Sequence, residues 1–281
     1  MNSLLQLCRW KVSLAVSFAA LTGYILNIKN INPSGLLIIL GVFLLASGAS
    51  VINQIQEQKT DRLMSRTSLR PIPSGRIKKT EAIGYAILFI LIGSLMLLYY
   101  SWLAFLIGLF TVFWYILVYT PLKRKTAFAV VPGSLTGALP AFIGWTASGG
   151  SLYNPQIIFL GFFIFLWQIP HFWLLLTKYS RDYERAGLPS LLKTFSFSQI
   201  KSIIFSWMIA TCLLSTGFFF FGIISSLQLI IAGILINLFI ITSFSYQLFY
   251  SKSSKLHTLF IQTNIYLSLF LIILIIDNIS L

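Results

Sequence analysis

The sequence predicts an all-α membrane protein with nine transmembrane helices. Its 281 residues are 57% hydrophobic and 16% aromatic, whereas only 9% are charged. A soluble domain carries about 25% charged residues, so this chain has too few to cover a water-exposed surface. The same composition excludes intrinsic disorder, because disordered chains are poor in apolar residues. The apolar runs do not alternate as the strands of a β-barrel do, which leaves helices as the spanning structure.

Apolar segments suited to crossing a bilayer follow one another along the whole chain. A helix needs roughly 20 apolar residues to span the hydrocarbon core. The nine candidate segments cover residues 12–28, 35–52, 82–100, 102–119, 128–146, 156–177, 200–221, 226–249 and 258–276. Since no soluble insertion or low-complexity linker separates them, a single membrane-embedded domain is expected over residues 1–281.

The basic residues predict the orientation of these helices. Every Lys and Arg except Lys29 lies before span one or in a connection that follows spans two, four, six and eight. Because cytoplasmic loops are enriched in Lys and Arg, we expect the N-terminus in the cytoplasm and, after nine crossings, the C-terminus outside. The net charge of +14 fits this orientation and attraction to anionic lipid. The lipid bilayer is the expected partner, and no nucleic-acid partner is expected.

The acidic residues are concentrated on the basic side of the predicted bundle. Of the six Asp and Glu residues, Glu81 is interpreted as a helix-start charge, and Asp277 is expected near an exposed C-terminus. The other four lie at the ends of spans two and six: Glu57, Asp61, Asp182 and Glu184. Charge that served only solubility would not be expected to gather there, so these carboxylates are candidate site residues.

The segment after span two contains a candidate metal site. Asn53, Glu57 and Asp61 recur at four-residue steps and would form one polar stripe on a helix. Such oxygen ligands suit Mg²⁺, which is usually held by one or two carboxylates together with substrate phosphates. Arg66 and Arg70, again four residues apart, would reach a phosphate from the same face, before the proline-containing stretch that follows ends the helix.

A solvated helix end with ordinary ion pairs is the alternative interpretation of this segment. Such pairs contribute ~0.3–0.5 kcal/mol each. Carboxylates at a membrane edge are rare unless they serve a function, which favours the metal site.

Two further segments offer ligands on the same side. Asp182 lies in the stretch 178–189, where a carboxylate would hold a second cation across a cavity; a solvated loop explains this stretch equally well. Lys123 and Arg124 follow span four and would bind a phosphate, or form an ordinary positively charged loop. Together the segments describe a site for a diphosphate with an apolar tail. The metal and the cations would stabilise a departing pyrophosphate, and the helices would exclude water from a carbocation.

Four blocks of the sequence resemble UbiA-type intramembrane prenyltransferases, in particular their protoheme IX farnesyltransferase (heme O synthase) branch. The first block is the acidic motif Asn53-x3-Glu57-x3-Asp61-x2-Met64-x-Arg66-Thr67, followed by Arg70-Pro71-Ile-Pro73-Ser74-Gly75-Arg76. The others are Tyr119-Thr-Pro-Leu-Lys123-Arg124-x-Thr126; Pro140-x-x-Ile143-Gly144-Trp145; and Trp167-Gln168-Ile-Pro170-His171-Phe172-Trp173 leading to Asp182-Tyr183-x-x-Ala186-Gly187-x-Pro189. The first motif is highly specific as a unit, and the Trp-Gln-x-Pro-His-Phe block favours heme over a quinone precursor.

The resemblance implies a reaction and a set of site residues. Farnesyl diphosphate would ionise, a vinyl group of protoheme IX (heme b) would attack the farnesyl cation, and water would complete heme O. Asn53, Glu57 and Asp61 would hold Mg²⁺, and Asp182 would support a second metal position. The remaining implied catalytic and substrate-binding residues are Lys123, Arg66, Arg70, Tyr119, Arg124, His171 and Tyr183. Heme would be a substrate rather than a redox cofactor, and a heme A synthase or terminal oxidase assembly would receive the product.

The sequence departs from the family pattern at two site positions. Glu57 stands where the family usually has Asp, which keeps the charge on a longer arm. Ala186 stands where a second Asp would follow Asp182 by four residues. His171 follows Pro170 within span six and has two interpretations: an axial ligand to heme iron, or a hydrogen-bond donor between helices.

Two other functions fit parts of this pattern. A UbiA-type enzyme acting on a quinone-precursor aromatic acceptor would use the same metal motif. A heme carrier or transporter would also have about nine helices, but it often shows internal repeats with broken helices near the midplane. The polar residues of this chain gather at the cytoplasmic edge instead. Since no transit peptide is recognised, a bacterial inner membrane is expected, with the active site on its cytoplasmic side.

Overall fold

The computed structural model of the protein describes residues 3–251 and 256–279. Within these residues, nine helices are long and apolar enough to cross a membrane, as predicted. Labelled α1 to α9 in chain order, they are Trp10–Ile28, Pro33–Gln56, Lys79–Tyr100, Trp102–Leu122, Ala127–Ala147, Pro155–Lys178, Phe197–Phe220, Leu227–Tyr250 and Leu256–Ile279. Each helix begins and ends within a few residues of its predicted span. Lys252 and Lys255, two of the basic residues behind the predicted orientation, lie outside the described residues.

Side-chain caps explain where several helices begin. Asn32 and Asn154 each precede a proline and accept a hydrogen bond from a backbone N–H of the first turn, at 3.0 and 2.8 Å. Proline suits the first helical position because its missing N–H would have no partner there. Ser196 begins α7 with a reciprocal pair of hydrogen bonds to Gln199. These caps fix the residues at which α2, α6 and α7 begin.

α1 packs against α2, α5 and α9, while α6 packs against α5, α7 and α9.

Several helix ends form one polar end of the bundle. Short helices at Ser3–Leu7, Gln58–Leu63 and Ser180–Arg185 lie before α1, after α2 and after α6. We call this end of the bundle the polar face; it comprises residues 3–9, 53–78, 119–126 and 178–190.

Small residues allow the central helices to approach closely. A Cβ atom on Gly144 of α5 would overlap the carbonyl oxygen of Ala20 in α1, and one on Gly23 of α1 would overlap the carbonyl oxygen of Ala141 in α5. The two helices are therefore in backbone contact through a reciprocal pair of glycines. Close approach of this kind provides much of the packing between helices in lipid, where the hydrophobic effect does not drive their association.

A buried polar cluster joins the last three helices. Tyr266 of α9 donates its hydroxyl proton toward Asn237 Oδ1 of α8 at 2.9 Å, and Asn237 Nδ2 donates to Ser215 Oγ of α7 at 2.9 Å. Tyr266 also packs against the aromatic core of Phe163 and Phe270. Each polar group in this cluster has a partner, so burying it in an apolar bundle costs little and fixes the alignment of the three helices.

Asp277 is buried rather than exposed, contrary to the prediction from its position near the C-terminus. Its carboxylate accepts hydrogen bonds from the backbone N–H groups of Ser225 and Ser226, both at 2.9 Å. These N–H groups lie at the start of α8, where backbone donors lack helical partners and where the helix dipole favours a negative charge. The carboxylate therefore links α9 to the α7–α8 connection.

The close contact of α1 with α5 makes Gly144 sensitive to substitution. We expect Gly144→Ala to lower the free energy of unfolding by about 1–3 kcal/mol, because the added Cβ forces the helices apart. Gly84→Ala in α3 is the matched control, since nothing lies within 4 Å of its Cβ position. The measurement is the thermal unfolding midpoint in detergent. Equal midpoints for the two variants would contradict the assigned contact.

Candidate active site

Asn53, Glu57 and Asp61 lie one helical turn apart on the polar face. α2 ends at Gln56, yet the helical path continues, because Glu57 N donates to Asn53 O at 2.9 Å and Asp61 N donates to Glu57 O at 2.8 Å. All three side chains are buried, with relative exposures of 1%, 4% and 0%. The alternative of a solvated helix end is therefore wrong for this segment.

Each of these three side chains contacts a different part of the polar face. Glu57 forms an ion pair with Lys123, which follows α4. Asp61 Oδ2 accepts a hydrogen bond from Arg70 Nη1 at 2.7 Å. Asn53 Nδ2 donates to Thr120 Oγ1 at 3.1 Å. The motif thus brings together the end of α2, the end of α4 and the loop that follows residue 63.

The Glu57–Lys123 pair is charged in the folded protein. Burial raises the pKa of Glu57, but the charge and hydrogen bond of Lys123, with smaller contributions from Arg9 and Arg70, hold it below its ordinary value. Burial lowers the pKa of Lys123, but the Glu57 carboxylate, together with Tyr183 and Tyr119, outweighs this effect, so the pKa lies above its ordinary value. Each charge is therefore retained in a buried site because its partner is in place.

The end of α4 departs from regular α-helix just before Lys123. Residues Trp114–Tyr119 form a π-helical turn, and Thr120 N donates to Tyr115 O. Pro121 contributes to this widening because it has no N–H to donate. The Tyr119 ring packs directly over Gly133. A Cβ atom on this glycine would lie only 2.5 Å from Cε2 of Tyr119, so the ring needs the space that glycine leaves. Short π-helical segments of this kind are frequent at functional sites.

Tyr119 forms an aromatic wall beside the charged groups. Its ring centroid lies 5.7 Å from that of Tyr115 and 6.3 Å from that of Phe172 in α6. Lys123 Nζ lies 6.0 Å from the centroid of the same ring. Tyr119 thus lies beside both the charged groups and an aromatic side chain of α6.

Asp182 connects the second acidic segment to the first. Its Oδ2 atom accepts hydrogen bonds from Ser65 Oγ at 2.7 Å and from Arg66 N at 3.4 Å. The hydrogen bond from Ser65 lowers the pKa of Asp182, whereas burial raises it. The hydrogen bond has the larger effect, so the pKa of Asp182 lies below its ordinary value. Asp182 therefore contacts the chain four residues beyond Asp61, so the two segments meet as expected for a shared site. Glu184, by contrast, is exposed.

Arg66 and Arg70 do not share a helix face, and the prediction that they do is wrong. The helix ends at Leu63, and Met64 is already extended, with φ −97° and ψ 127°. Beyond this point the chain turns repeatedly, so a four-residue spacing no longer corresponds to one helical turn. Arg70 is directed at Asp61, whereas the exposed Arg66 lies over the ring of Tyr179, with Cζ 5.2 Å from the centroid.

The remaining predicted site residues surround this centre. Tyr183 is buried against Met64 and Leu188, which fixes the second segment on the loop after Asp61. Arg124 is exposed, and its Nη2 donates to Gln56 O at the end of α2. Both residues therefore link separate parts of the polar face.

His171 lies in an aromatic stack on α6. Its ring centroid is 4.7 Å from that of Trp167 and 4.8 Å from that of Phe260 in α9. Its Nδ1 atom is buried and has no hydrogen-bond partner among the described residues. In this structure Nδ1 therefore makes no hydrogen bond to a neighbouring helix of the described chain.

Sequence reasoning missed three residues that the structure brings to this centre: Arg9, Ser65 and Thr120. Arg9 Nη1 lies 3.5 Å from the hydroxyl of Tyr115, 106 residues along the chain. The Asn53–Thr120 and Asp182–Ser65 contacts join residues 67 and 117 positions apart. No local spacing relates such residues, so only the packing of α1, α2, α4 and α6 reveals them.

The donor set fits a hard divalent cation that is completed by its substrate. Among the described residues, no three His, Cys, Asp or Glu side chains converge closely enough to form a metal cage of their own. The oxygens of Asn53, Glu57 and Asp61 are nevertheless the ligands that Mg²⁺ prefers, and Asp61 Oδ1 is buried without a partner among the described residues. The nearby Lys and Arg side chains suit the phosphate oxygens that would supply the remaining ligands.

A model of the UbiA prenyltransferase family matches residues 15–270. The chain belongs to the UbiA prenyltransferase family. A protoheme IX farnesyltransferase of Geobacter sulfurreducens is 40% identical over 66% of this chain and 68% of the relative. One from Bartonella henselae is 34% identical over 95% of this chain and 85% of the relative. The solved structure of a UbiA homologue from Archaeoglobus fulgidus, bound to GPP and Mg²⁺, covers 100% of both chains with a TM-score of 0.72 and 18% identity.

These comparisons agree with the predicted family and fold. The family model covers α2 to α8 completely and α1 and α9 in part, and the structural likeness extends over the whole chain. The protein is accordingly a multi-pass membrane prenyltransferase with a UbiA-type helical bundle.

The Glu57–Lys123 ion pair predicts a specific pattern of stability. We expect Lys123→Met to lower the free energy of unfolding by about 3 kcal/mol, because it leaves a buried carboxylate without its partner. Adding Glu57→Gln should restore part of this loss, since both charges are then removed. Lys125→Met is the matched control, because Lys125 is exposed. Thermal unfolding of the three variants and the parent protein checks the prediction, and a double variant less stable than Lys123→Met would contradict it.

Proposed function

We propose that the protein transfers a farnesyl group from farnesyl diphosphate to a vinyl group of protoheme IX, which yields heme O. The observation that carries the proposal is the meeting of two buried carboxylates, Glu57 and Asp61, with Lys123 and Arg70 on the polar face. This arrangement suits a magnesium diphosphate. The choice of heme as acceptor is supported by relatives named protoheme IX farnesyltransferase, one of which aligns with 95% of this chain.

Magnesium is the proposed cofactor. Asn53, Glu57 and Asp61 would hold it, and Asp182 would support a second metal position through the loop it contacts. The UbiA homologue of Archaeoglobus fulgidus, whose structure contains GPP and Mg²⁺, supports this choice of metal. When bound, the metal would neutralise negative charge on the diphosphate and so favour its departure.

The cationic side chains would bind the diphosphate by exchanging their partners. Lys123 and Arg70 now neutralise Glu57 and Asp61. If the carboxylates turned to a metal while these cations turned to phosphate oxygens, every buried charge would keep a counter-ion. Arg124 and Arg66 lie further out, where they would contact the entering diphosphate. The exchange therefore places positive charge where the leaving group develops negative charge.

The proposed reaction breaks the C–O bond of the diphosphate, converts the vinyl π-bond into a new C–C bond, and adds water to form a new C–O bond. The C–O bond of farnesyl diphosphate breaks, and its electron pair leaves with pyrophosphate. The vinyl π-electrons of heme form the new C–C bond to the allylic cation, and water adds to the resulting heme cation and loses a proton. Tyr119 and Phe172 would exclude other water molecules from the farnesyl cation during this sequence.

The proposed heme contact is the aromatic stack around His171. Trp167 and Phe260 flank its ring, and Nδ1 has no partner among the described residues. A flat porphyrin suits such aromatic surroundings, and an imidazole nitrogen can ligate heme iron.

Tyr183, which is buried beside the loop after Asp61, would position that loop for the diphosphate.

The proposed setting is a bacterial inner membrane. The distribution of Lys and Arg supports a cytoplasmic N-terminus, an external C-terminus and a polar face toward the cytoplasm. We regard residues 1–281 as one catalytic domain, because no described segment forms a separate core. Heme O would pass from there to a heme A synthase or to the assembly of a terminal oxidase.

Mass analysis of extracted hemes tests this function. Membranes of a host that lacks heme O should contain it after expression of the protein, together with heme b. A parallel assay of purified protein with farnesyl diphosphate offers heme b and 4-hydroxybenzoate as competing acceptors. Prenylation of 4-hydroxybenzoate alone would overturn the heme assignment and favour a quinone-precursor acceptor.

Asp61→Ala should reduce farnesyl transfer by at least a hundredfold while the protein stays folded in the membrane. The substitution removes a proposed metal ligand at the centre of the site. Glu81→Ala removes an exposed carboxylate at the start of α3 and is the matched control. Turnover with Mg²⁺ is measured for both variants at equal protein levels. Near-normal turnover by Asp61→Ala would show that the metal assignment is wrong.

Mg²⁺ and pyrophosphate should bind cooperatively. Either ligand alone would separate the existing ion pairs and leave buried charges without counter-ions, whereas both together exchange partners. We expect saturating pyrophosphate to strengthen Mg²⁺ binding at least tenfold, and Mg²⁺ to strengthen pyrophosphate binding by the same factor. Isothermal titration of each ligand, with and without the other, measures this coupling. Independent binding would contradict the exchange of partners.

A further inference from the structure

Arg9 occupies a turn that is tied to two helices. Its backbone has φ 47° and ψ 47°, a left-handed conformation that few residues other than glycine adopt. Gln54 Nε2 of α2 donates to Leu7 O at 2.6 Å, and Ser13 Oγ of α1 donates to Cys8 O at 2.9 Å. The two residues that precede Arg9 are thus held by α2 and α1, and a strained residue held in place by its surroundings is common at functional sites.

The turn brings the Arg9 side chain to the ion pairs of the polar face. Its guanidinium lies in the electrostatic field of Tyr115, Glu57 and Asp61. Arg70 in turn experiences the positive charge of Arg9. The N-terminal segment therefore contributes a third cation to a centre that the sequence motifs build from α2, α4 and the loop after residue 63.

Arg9 differs from the other two cations in having no carboxylate of its own. In the described part of the chain, Glu57 pairs with Lys123 and Asp61 pairs with Arg70, and these are the ion pairs within 4.0 Å. The contact of Arg9 with the Tyr115 hydroxyl is 3.5 Å long and involves a neutral partner. The centre consequently carries more positive than negative charge before any ligand binds.

We propose that Arg9 is a further diphosphate-binding residue, delivered to the site by the N-terminal turn. The inference rests on the proposed function, since it concerns the same diphosphate. A guanidinium presents two parallel N–H groups that match the oxygens of a phosphate. Because Arg9 releases no carboxylate when it binds, it contributes to diphosphate affinity without the exchange of partners that Lys123 and Arg70 require.

Lys11 is a nearby basic residue that does not reach the ion pairs, and it serves as a comparison for Arg9. It lies two positions beyond Arg9 and is exposed, with Nζ 5.7 Å from the ring centroid of Trp10. Both residues serve the predicted orientation of α1 equally well. Orientation alone therefore does not explain why one of them is turned into the site through a left-handed backbone.

Pyrophosphate binding tests the proposal without depending on turnover. The purified full-length protein is titrated calorimetrically with inorganic pyrophosphate in the presence of Mg²⁺. We expect Arg9→Gln to raise the dissociation constant at least tenfold and Arg9→Lys to raise it by a smaller factor. Lys11→Gln should stay within twofold of the parent protein. Tyr115→Phe should do so as well, because it removes the hydroxyl contact of Arg9 and leaves the charge.

The outcomes separate the two proposals. Unchanged binding by Arg9→Gln, while the parent protein binds pyrophosphate, overturns the role of Arg9 and leaves the proposed function intact. Loss of binding in Tyr115→Phe equal to that in Arg9→Gln also overturns it, since the effect would then be structural. If Arg9→Gln does not fold, Arg9→Lys decides: a raised dissociation constant in the folded variant supports the role of the guanidinium, and parent-like affinity overturns it. A parent protein that binds no pyrophosphate overturns the proposed function itself.

Discussion

The structure depends on compensating buried charge within the polar face. Glu57 and Asp61 are buried just beyond the end of α2, and each is paired with a cation from another part of the chain. Lys123 comes from the end of α4, and Arg70 comes from the loop that follows the motif. The positions of these segments are therefore not independent of one another. A shift of either cation would leave an uncompensated carboxylate in a poorly solvated site, which is costly.

The fold could be predicted from the sequence because its signal is local. Spanning helices require continuous apolar segments of a set length, and all nine appear as such. The four-residue spacing of Asn53, Glu57 and Asp61 also predicted their common face, since the helical path runs through all three. The same rule failed for Arg66 and Arg70, because the helix ends at Leu63. A residue spacing predicts a shared face only as far as its helix continues.

Contacts between distant parts of the chain could not be predicted in this way. No local sequence pattern relates Glu57 to Lys123. The left-handed turn at Arg9 contains no glycine, so the sequence gives no signal for it. Asp277 was expected to be exposed because it lies near the chain end, but the start of α8 offers it unpaired backbone donors. In each case the partner is chosen by helix packing, which depends in turn on close contacts such as that between Gly144 and Ala20.

The contact of Asp182 with Ser65 has a consequence for how the protein matures. The two residues are 117 positions apart, and the ribosome delivers them to the membrane in that order. The loop that carries Ser65 and Arg70 therefore lacks its hydrogen bond to Asp182 until α6 has been inserted. A nascent chain that contains the complete acidic motif still lacks one of the contacts of the loop after Asp61, and the two acidic segments meet only once most of the bundle has been inserted.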